Sequence, residues 1–408
     1  MDSSFLASYR SHSDKIVQAL IGLVVLLALV GPAGSQLPAL LLFIVCLPLF
    51  LYKSETSFAG SRWWLITMIF PLLASLPLSI SSQSGEALDA PSRYLVAAAV
   101  FLALRHFNID AKIIFRAASL APIVAVALNI HQIDTPRLDF GVGIMESAYL
   151  SVLLFSLSLR AVFIETKQLW RILAILGIVC AVLIVVISGT RGAWLALIVV
   201  LGVNLFTLPV SLRTKTMLVV LASFFLVILV QSSPMVKLRI ADAVSETEQY
   251  TTGEPRLTSV GVRLDLWRMS WQSFLKSPLW GLSYEERSRV MENYKKENPA
   301  SAIGVDGRSS SHNEVLNALS KKGLLGFTAI FLLYAVPFYF FWRGMRSSNN
   351  FVVNNLSVAG VSIVVAMAVS GLTEAPLMHV RASTSYIFLL VFLYYAVLSS
   401  EHKKANRL

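Results

Sequence analysis

Apolar runs of about 16 to 22 residues follow one another along this chain, and that is the length a helix needs to cross the hydrocarbon core of a membrane. Fifty-six per cent of the 408 residues are hydrophobic and only 14% are charged, which is not the composition of a soluble globular domain. The sequence therefore predicts an all-α polytopic membrane protein. About twelve spans are predicted, at residues 16–31, 37–52, 63–80, 94–107, 112–130, 144–164, 170–188, 192–208, 215–231, 323–342, 351–371 and 383–398.

One long polar stretch, residues 232–322, interrupts this series of spans. The predicted organisation is nine transmembrane helices in residues 1–231, a large loop in residues 232–322, and three more helices with a short tail in residues 323–408. Because so little of the remaining chain can be soluble surface, we expect the chemistry to lie on this loop.

The net charge of +11 does not indicate a nucleic-acid partner, because the basic residues are concentrated in alternate short loops. Such an asymmetry orients a chain across the bilayer, with the basic loops in the cytoplasm. It predicts cytoplasmic termini and places residues 232–322 on the outer side. The basic loops contain Arg10, Lys15, Lys53, Arg62, Arg105, Lys112, Arg116, Arg160, Lys167, Arg171, Arg213, Lys215, Arg343, Arg346, Lys403, Lys404 and Arg407.

The large loop divides into segments of different character. Residues 232–260 are polar, and residues 262–276 place Leu264, Trp267, Trp271 and Phe274 at helical spacing. This periodicity predicts an amphipathic helix on the outer membrane surface. Residues 284–297 predict a second, highly charged helix, and residues 298–311 predict a loop that leads to His312.

Two arginines are candidates for binding phosphate. Arg191 lies in the short connection Ser188-Gly189-Thr190-Arg191-Gly192, and Arg263 lies near the start of the amphipathic helix. A guanidinium binds phosphate through paired, charge-assisted hydrogen bonds. Two of them at one membrane surface could hold a diphosphate and stabilise it as a leaving group. The alternatives are an interfacial anchor for Arg191 and a solvated helix face for Arg263.

His312 is the candidate general base, because an imidazole is well suited to accept a proton near neutral pH. Its alternative role is that of a surface or capping residue at a helix start. Glu314, Asp306 or Asn313 could orient its ring, and Ser310 or Ser311 could cap the helix that follows.

Glu374 has three open interpretations at the outer end of the eleventh predicted span: a partner for Arg191, a ligand of an acceptor sugar, or an interfacial charge. The outer loops contain no Asp-x-Asp pair, and the chain contains no Gly-x-x-x-x-Gly-Lys motif. The first absence argues against a metal-bound nucleotide sugar and the second against ATP. Arginines with a histidine base, and with no metal or other cofactor, indicate transfer from a lipid diphosphate.

At these residues the chain resembles the superfamily of bacterial O-antigen ligases and polymerases. The resemblance covers about residues 188–326 and is most specific where His312-Asn313 leads into Leu316, Leu319 and Gly323-Leu324-Leu325-Gly326. The other matching pieces are Ser188–Gly192 and Arg263 with Trp267, followed by Ser277-Pro278-Leu279-Trp280-Gly281. Within the superfamily, the length and the single large outer loop resemble the O-antigen ligases.

This resemblance implies a GT-C-like, metal-independent, inverting glycosyltransferase of the Gram-negative inner membrane. Its donor would be O-antigen on undecaprenyl diphosphate, and its acceptor would be a hydroxyl of the lipid A–core oligosaccharide at the periplasmic face. Carried over by residue, Arg191 and Arg263 would bind the diphosphate, and His312 would activate the acceptor. Trp267 would lie near lipid or sugar, and Glu374 is an additional candidate for substrate binding.

Two alternatives remain open from the sequence. An O-antigen polymerase or a protein O-oligosaccharyltransferase would use the same donor with another acceptor. A transporter of lipid-linked sugars would need a polar path through the bilayer, and few charged residues lie inside the predicted spans.

Overall fold

A computed structural model describes residues 3–31, 33–51, 61–132, 135, 137–208, 210–221, 236–242, 245–246 and 258–405. Most of the predicted ninth span, residues 222–231, lies outside the described residues, as do residues 232–235, 243–244 and 247–257 of the predicted loop.

Fourteen α-helices are labelled in chain order. They are α1 Ser3–Leu26, α2 Gln36–Cys46, α3 Ser61–Leu73, α4 Leu76–Ser81, α5 Glu86–Leu104, α6 Lys112–Asn129, α7 Ile144–Ile164, α8 Gln168–Ser188, α9 Arg191–Phe206, α10 Ser259–Lys276, α11 Tyr284–Glu297, α12 Glu314–Ser347, α13 Phe351–Ser370 and α14 Val380–Ala405. Residues 212–221 and 236–242 are also helical.

Eight helical segments in the described part of the chain are long and apolar enough to cross a membrane. Two shorter apolar helices, Gln36–Leu49 and Arg191–Phe206, coincide with predicted spans. The polytopic all-α class is therefore confirmed, whereas the total of twelve spans stays a prediction. Several helices begin earlier than the predicted spans: α1 at Ser3 rather than 16, α5 at Glu86 rather than 94, and α12 at Glu314 rather than 323. In α5, two acidic residues in the first turn interact favourably with the positive end of the helix dipole.

The last helix, α14, forms the centre of the bundle, and its residues 386–397 are all buried. Tyr394 of this helix stacks on Trp64 of α3 with 4.3 Å between the ring centroids. Phe101 and Phe341 pack around the same pair. In contrast, α8 exposes an apolar face that includes Leu169, Ile172, Ile175, Leu176 and Val179. A continuous apolar surface of this kind is expected where a helix faces lipid.

The helices of the loop pack on the end of this bundle at which α9 begins and α13 ends. On α10 the buried face contains Gly261, Asp265, Leu266, Met269 and Ser273, and it lies against α11 and α12. The predicted apolar stripe lies on another face of the helix, where Trp271 is 49% exposed. Trp271 is therefore available to lipid or substrate, whereas Leu264, Trp267 and Phe274 are half-buried.

Helix α11 occupies the predicted residues and begins with a capping box. Ser283 accepts the Glu286 amide through its side chain, and the Glu286 carboxylate accepts the Ser283 amide.

Arg160 is a charge enclosed within the bundle, with only 1% of its surface exposed. Its guanidinium donates to Asn204 Oδ1 at 2.8 Å, to the Asn204 carbonyl at 3.1 Å and to Thr207 Oγ1 at 2.6 Å. Asn204 also donates to Ser362 Oγ at 3.0 Å. These bonds join α7, α9 and α13 and satisfy a charge that burial would otherwise make costly.

We predict that Asn204→Leu lowers the free energy of unfolding by about 1–3 kcal/mol, because it leaves the Nε donor of the buried Arg160 without its acceptor. Thermal unfolding of the purified protein in detergent measures the effect. Asn129→Leu is the matched control, because the Asn129 amide bonds only the Ala125 carbonyl of its own helix. Equal melting temperatures for the two variants would contradict the prediction.

Candidate active site

Arg191 is the first residue of α9 and follows a tight turn out of α8. Gly189 ends α8 with a φ of 61°, a left-handed conformation that favours glycine. A Cβ on Gly192 would overlap Thr373 Oγ1, so glycine is required for α9 to approach the segment after α13. This junction holds Arg191 at the end of the bundle at which α13 also ends, and its Nη2 lies 3.2 Å from Glu246 Oε2.

Arg263 lies in the first two turns of α10. Thr258 caps this helix by accepting the Gly261 amide at 3.1 Å. The Val260 amide donates to Glu246 Oε2 at 3.1 Å, which is the same oxygen that pairs with Arg191. Glu246 therefore ties the start of α9 to the start of α10.

His312 lies in the turn immediately before α12 and has a left-handed backbone, with a φ of 46°. This conformation costs a residue other than glycine about 1 kcal/mol or more and is found preferentially at functional sites. Ser310 Oγ accepts the His312 amide at 3.0 Å. The predicted caps were wrong: Asn313, not Ser310 or Ser311, caps α12 by accepting the Leu316 amide.

The side chain that orients His312 is Glu374, and the predicted alternatives Glu314, Asp306 and Asn313 were wrong. His312 Nδ1 lies 2.9 Å and 3.1 Å from the two carboxylate oxygens of Glu374. A carboxylate only accepts hydrogen bonds, so Nδ1 carries a proton, and in the neutral form of the ring Nε2 is then the acceptor. Nor does Glu374 pair with Arg191, which is bound to Glu246 instead.

The carboxylate of Glu374 is buried, with 7% of its side chain exposed. Burial alone would raise its pKa, but the hydrogen bond and the charge of His312 outweigh this effect, and the pKa of Glu374 lies below its ordinary value. The Ala375 amide also donates to this carboxylate, at 3.1 Å. Glu374 is therefore held as an anion against the imidazole.

Arg263 lies close enough to Glu374 and to Arg191 to interact electrostatically with each. Burial lowers the pKa of Arg263, the charge of Glu374 raises it, and the charge of Arg191 lowers it. The structure thus places Arg263 near both Arg191 and Glu374, which are 183 positions apart in the sequence, and Glu374 against His312. Trp267 lies one turn beyond Arg263 on α10, half-buried, and its Nε1 is buried without a partner in the described structure.

The glycine-rich motif after His312 has a packing role. Gly323 has a φ of 59° at a kink in α12, and a Cβ there would overlap the backbone of Pro278 and Leu279. Gly281, with a φ of 75°, approaches the Lys321 and Lys322 backbone equally closely. The turn after α10 therefore packs against the kink in α12. This contact fixes the position of α10 relative to α12, the helix that follows His312.

Known proteins were compared with this chain by sequence. A sequence model of the O-antigen ligase family matches residues 176–331. The O-antigen ligase of Escherichia coli is 23% identical over 239 residues, which are 58% of this chain and 56% of that protein. An uncharacterised protein of Haemophilus influenzae is 24% identical over 358 residues, 83% of this chain and 88% of that protein.

These matches support the O-antigen ligase superfamily. At family level they support an O-antigen ligase-type function. They also support a multi-pass membrane protein that is a glycosyltransferase-type enzyme. The part matched to the O-antigen ligase family contains Arg191, Arg263 and His312, whereas Glu374 lies beyond its end. The alignment with the Escherichia coli O-antigen ligase covers about half of that protein.

Two arginines that lie near Arg191 and Arg263, Arg137 and Arg239, were not predicted from the sequence as site residues. Burial lowers the pKa of Arg137, and the charges of Arg239 and Arg191 lower it further, while the charge of Arg239 also acts on Arg263. Arg239 Nε lies 3.4 Å from the Gly189 carbonyl. The available signal was that Arg137, like Arg191, is one of few basic residues in the predicted outer loops.

No group of three or more His, Cys, Asp or Glu side chains in the described ranges is arranged to hold a metal ion.

We predict a pH-dependent stability difference between the wild type and Glu374→Gln. The folded pKa of Glu374 lies below its ordinary value of 4.5, so ionised Glu374 stabilises the fold above that pH and the contribution is lost as the pH falls through the lowered pKa. Near neutral pH the variant should be less stable by about 1 kcal/mol.

Thermal unfolding between pH 3 and pH 8 measures this difference, which should disappear at the acid end. Glu292→Gln removes an exposed carboxylate of α11 and serves as the control. A difference that grows toward low pH would contradict the assignment.

Proposed function

We propose that this protein is an O-antigen ligase that moves O-antigen from undecaprenyl diphosphate to a hydroxyl of the lipid A–core oligosaccharide. The observation that carries the proposal is the His312–Glu374 pair beside Arg263 and Arg191. A base held by a buried carboxylate can deprotonate the acceptor hydroxyl, which then acts as the nucleophile. The neighbouring guanidinium groups can bind the anionic leaving group. The superfamily match supports the same reaction class.

His312 is proposed as the general base. Glu374 fixes the tautomer in which Nδ1 carries the proton, so that Nε2 accepts the proton of the acceptor hydroxyl. The freed oxygen then attacks the anomeric carbon of the donor sugar. The carboxylate of Glu374 stabilises the imidazolium that forms, and the residue is already ionised at neutral pH.

Arg191 and Arg263 are proposed to bind the diphosphate. As the bond between the anomeric carbon and the diphosphate oxygen breaks, its electron pair goes to that oxygen, and the arginines stabilise the growing negative charge. Attack on the face opposite to the leaving group inverts the anomeric configuration. Glu246 and the packing of Gly192 hold Arg191 in position before substrate arrives, which lowers the reorganisation that the reaction requires.

The proposal includes a location. Residues 232–322 would form the periplasmic loop of a GT-C-like protein of the Gram-negative inner membrane, with twelve spans divided nine and three. The stripe of Trp267 and Trp271 on α10 would then face lipid or the sugar of a bound amphiphile. No cofactor takes part in the proposed reaction.

We predict that the purified wild type transfers O-antigen from undecaprenyl diphosphate to rough lipopolysaccharide in EDTA and without ATP. His312→Ala should lower kcat by about 10²–10⁴-fold through loss of the base. Arg263→Ala should lower it by about 10²–10³-fold through loss of leaving-group stabilisation. Gel analysis of capped lipopolysaccharide measures the transfer.

Two exposed residues provide matched controls for this assay: His131→Ala and Arg289→Ala should retain wild-type rates. Extension of the carrier-linked glycan would assign the protein as a polymerase, and transfer to protein would assign it as an O-oligosaccharyltransferase. Full activity in His312→Ala and Arg263→Ala would refute the mechanism.

We also predict that Arg137→Gln and Arg239→Gln raise the KM for the lipid diphosphate donor by about tenfold each, because each removes a charge from the side of the site that includes Arg191. The KM for the acceptor should be unchanged. Steady-state kinetics with each substrate varied in turn separates the two effects. An increase in the acceptor KM alone would place these arginines on the other substrate.

A further inference from the structure

A second cavity lies beside the proposed active site and contains none of its four charged residues. Its volume is about 310 Å³, and it lies between α5, the start of α12 and the segment after α13. This volume is within the range of small-molecule sites. Glu314, two positions after His312, lines the cavity, so the two sites lie on either side of the start of α12.

Two lysines in the cavity wall have unused hydrogen-bond donors. Lys321 is 5% exposed, and its Nζ contacts the Arg308 carbonyl at 2.8 Å and Met378 Sδ at 3.5 Å. Lys322 Nζ donates to Ser75 Oγ at 2.7 Å. An ammonium has three donors, so one on Lys321 and two on Lys322 have no acceptor among the described residues. Neither lysine forms an ion pair with a described carboxylate.

The electrostatics favour an anion between these lysines. Arg287 is fully buried beside the cavity, and its charge acts on Lys321. It donates to the Gly307 and Ser309 carbonyls, whereas its Nε and Nη2 have no partner among the described residues. The charges of Lys321 and Lys322 both act on Glu314, which is the one buried carboxylate among the described residues of the cavity wall. Buried charges are normally paired, and an anionic ligand would supply the missing partner.

The rest of the cavity wall changes from polar to apolar along α12. At one end, Arg308 pairs with Glu86 at 2.9 Å and lies 5.3 Å from the centre of the Tyr284 ring. At the other end, Ala329, Ile330 and Leu333 form an apolar wall. A helical rise of 1.5 Å per residue puts Leu333 about 15 Å beyond Gly323. An amphiphile with an anionic saccharide headgroup fits this wall, with its headgroup at the polar end and its apolar part at the other.

We infer that this cavity binds a phosphate group on the saccharide of the acceptor amphiphile, and thereby positions the acceptor for His312. The inference rests on the proposed function for the identity of the acceptor. Lys321 and Lys322 would bind the phosphate, and Tyr284 with the Glu86–Arg308 pair would contact sugar. They are binding and positioning residues, since no bond is made or broken at the cavity.

The test measures binding of fluorescently labelled rough lipopolysaccharide to the full-length protein in phosphatidylcholine nanodiscs. The same lipopolysaccharide stripped of its phosphates forms the second arm. Lys321→Gln and Lys322→Gln are the variants, and Lys296→Gln, an exposed lysine of α11, is the matched control. A third arm adds phosphatidylglycerol as a competing source of phosphate.

We expect each cavity variant to weaken binding of the phosphorylated acceptor by about tenfold and the control to leave it unchanged. Stripped lipopolysaccharide should bind the wild type about as weakly as the variants bind the intact form, with no further loss in the variants. The comparison of the two lipopolysaccharides on the wild type needs no substitution, so it remains decisive if a variant fails to fold.

Three results would overturn the inference: equal binding of intact and stripped lipopolysaccharide by the wild type, equal losses in Lys321→Gln and Lys296→Gln, or lysine-dependent displacement by phosphatidylglycerol. The binding assay requires no transfer. Phosphate-dependent binding without transfer would therefore refute the proposed function alone, and transfer with phosphate-independent binding would refute the cavity alone.

Discussion

Three helix ends meet at the segment that follows α13, and the contacts there hold the side chains of the proposed site together. The Gly371 carbonyl accepts the Glu314 amide at 2.7 Å, and the Leu372 carbonyl accepts the Asn313 side chain at 3.1 Å. Gly192 packs against Thr373, and Glu374 then contacts His312. Because these contacts involve backbone atoms or require a glycine, Arg191, His312 and Glu374 cannot move independently.

Buried charge is used in two ways in this molecule. The guanidinium of Arg160 has hydrogen-bond partners on each of its three nitrogens and joins three helices inside the bundle. At the end of the bundle where α9 begins, Arg191 Nη1 is buried without a partner in the described structure, and the two cavity lysines retain unused donors. A buried donor without an acceptor costs free energy. A buried donor without an acceptor, such as Arg191 Nη1, is therefore what we expect of a binding site for an anion.

Much of the fold follows from short-range patterns. Helices α7 and α11 have the bounds that periodicity predicts, because both begin and end where the residue composition changes over one turn. The cap of α12 was not predicted, since Ser310, Ser311 and Asn313 are all good capping residues. Asn313 is selected because its amide group also reaches the Leu372 carbonyl, which is distant in sequence.

The sequence by itself determined that this chain is a polytopic helical membrane protein and which superfamily it resembles, and it singled out Arg191, Arg263 and His312 as candidate site residues. Hydrophobic length and local motifs carry that information, because each depends on residues within one or two helical turns. Only the tertiary structure decided that Glu374 orients His312 across 62 positions and that Glu246 binds Arg191. It also decided that Lys321 and Lys322 line a separate cavity. Ion pairs and cavities form where distant helix ends meet, and that meeting depends on packing of the whole bundle.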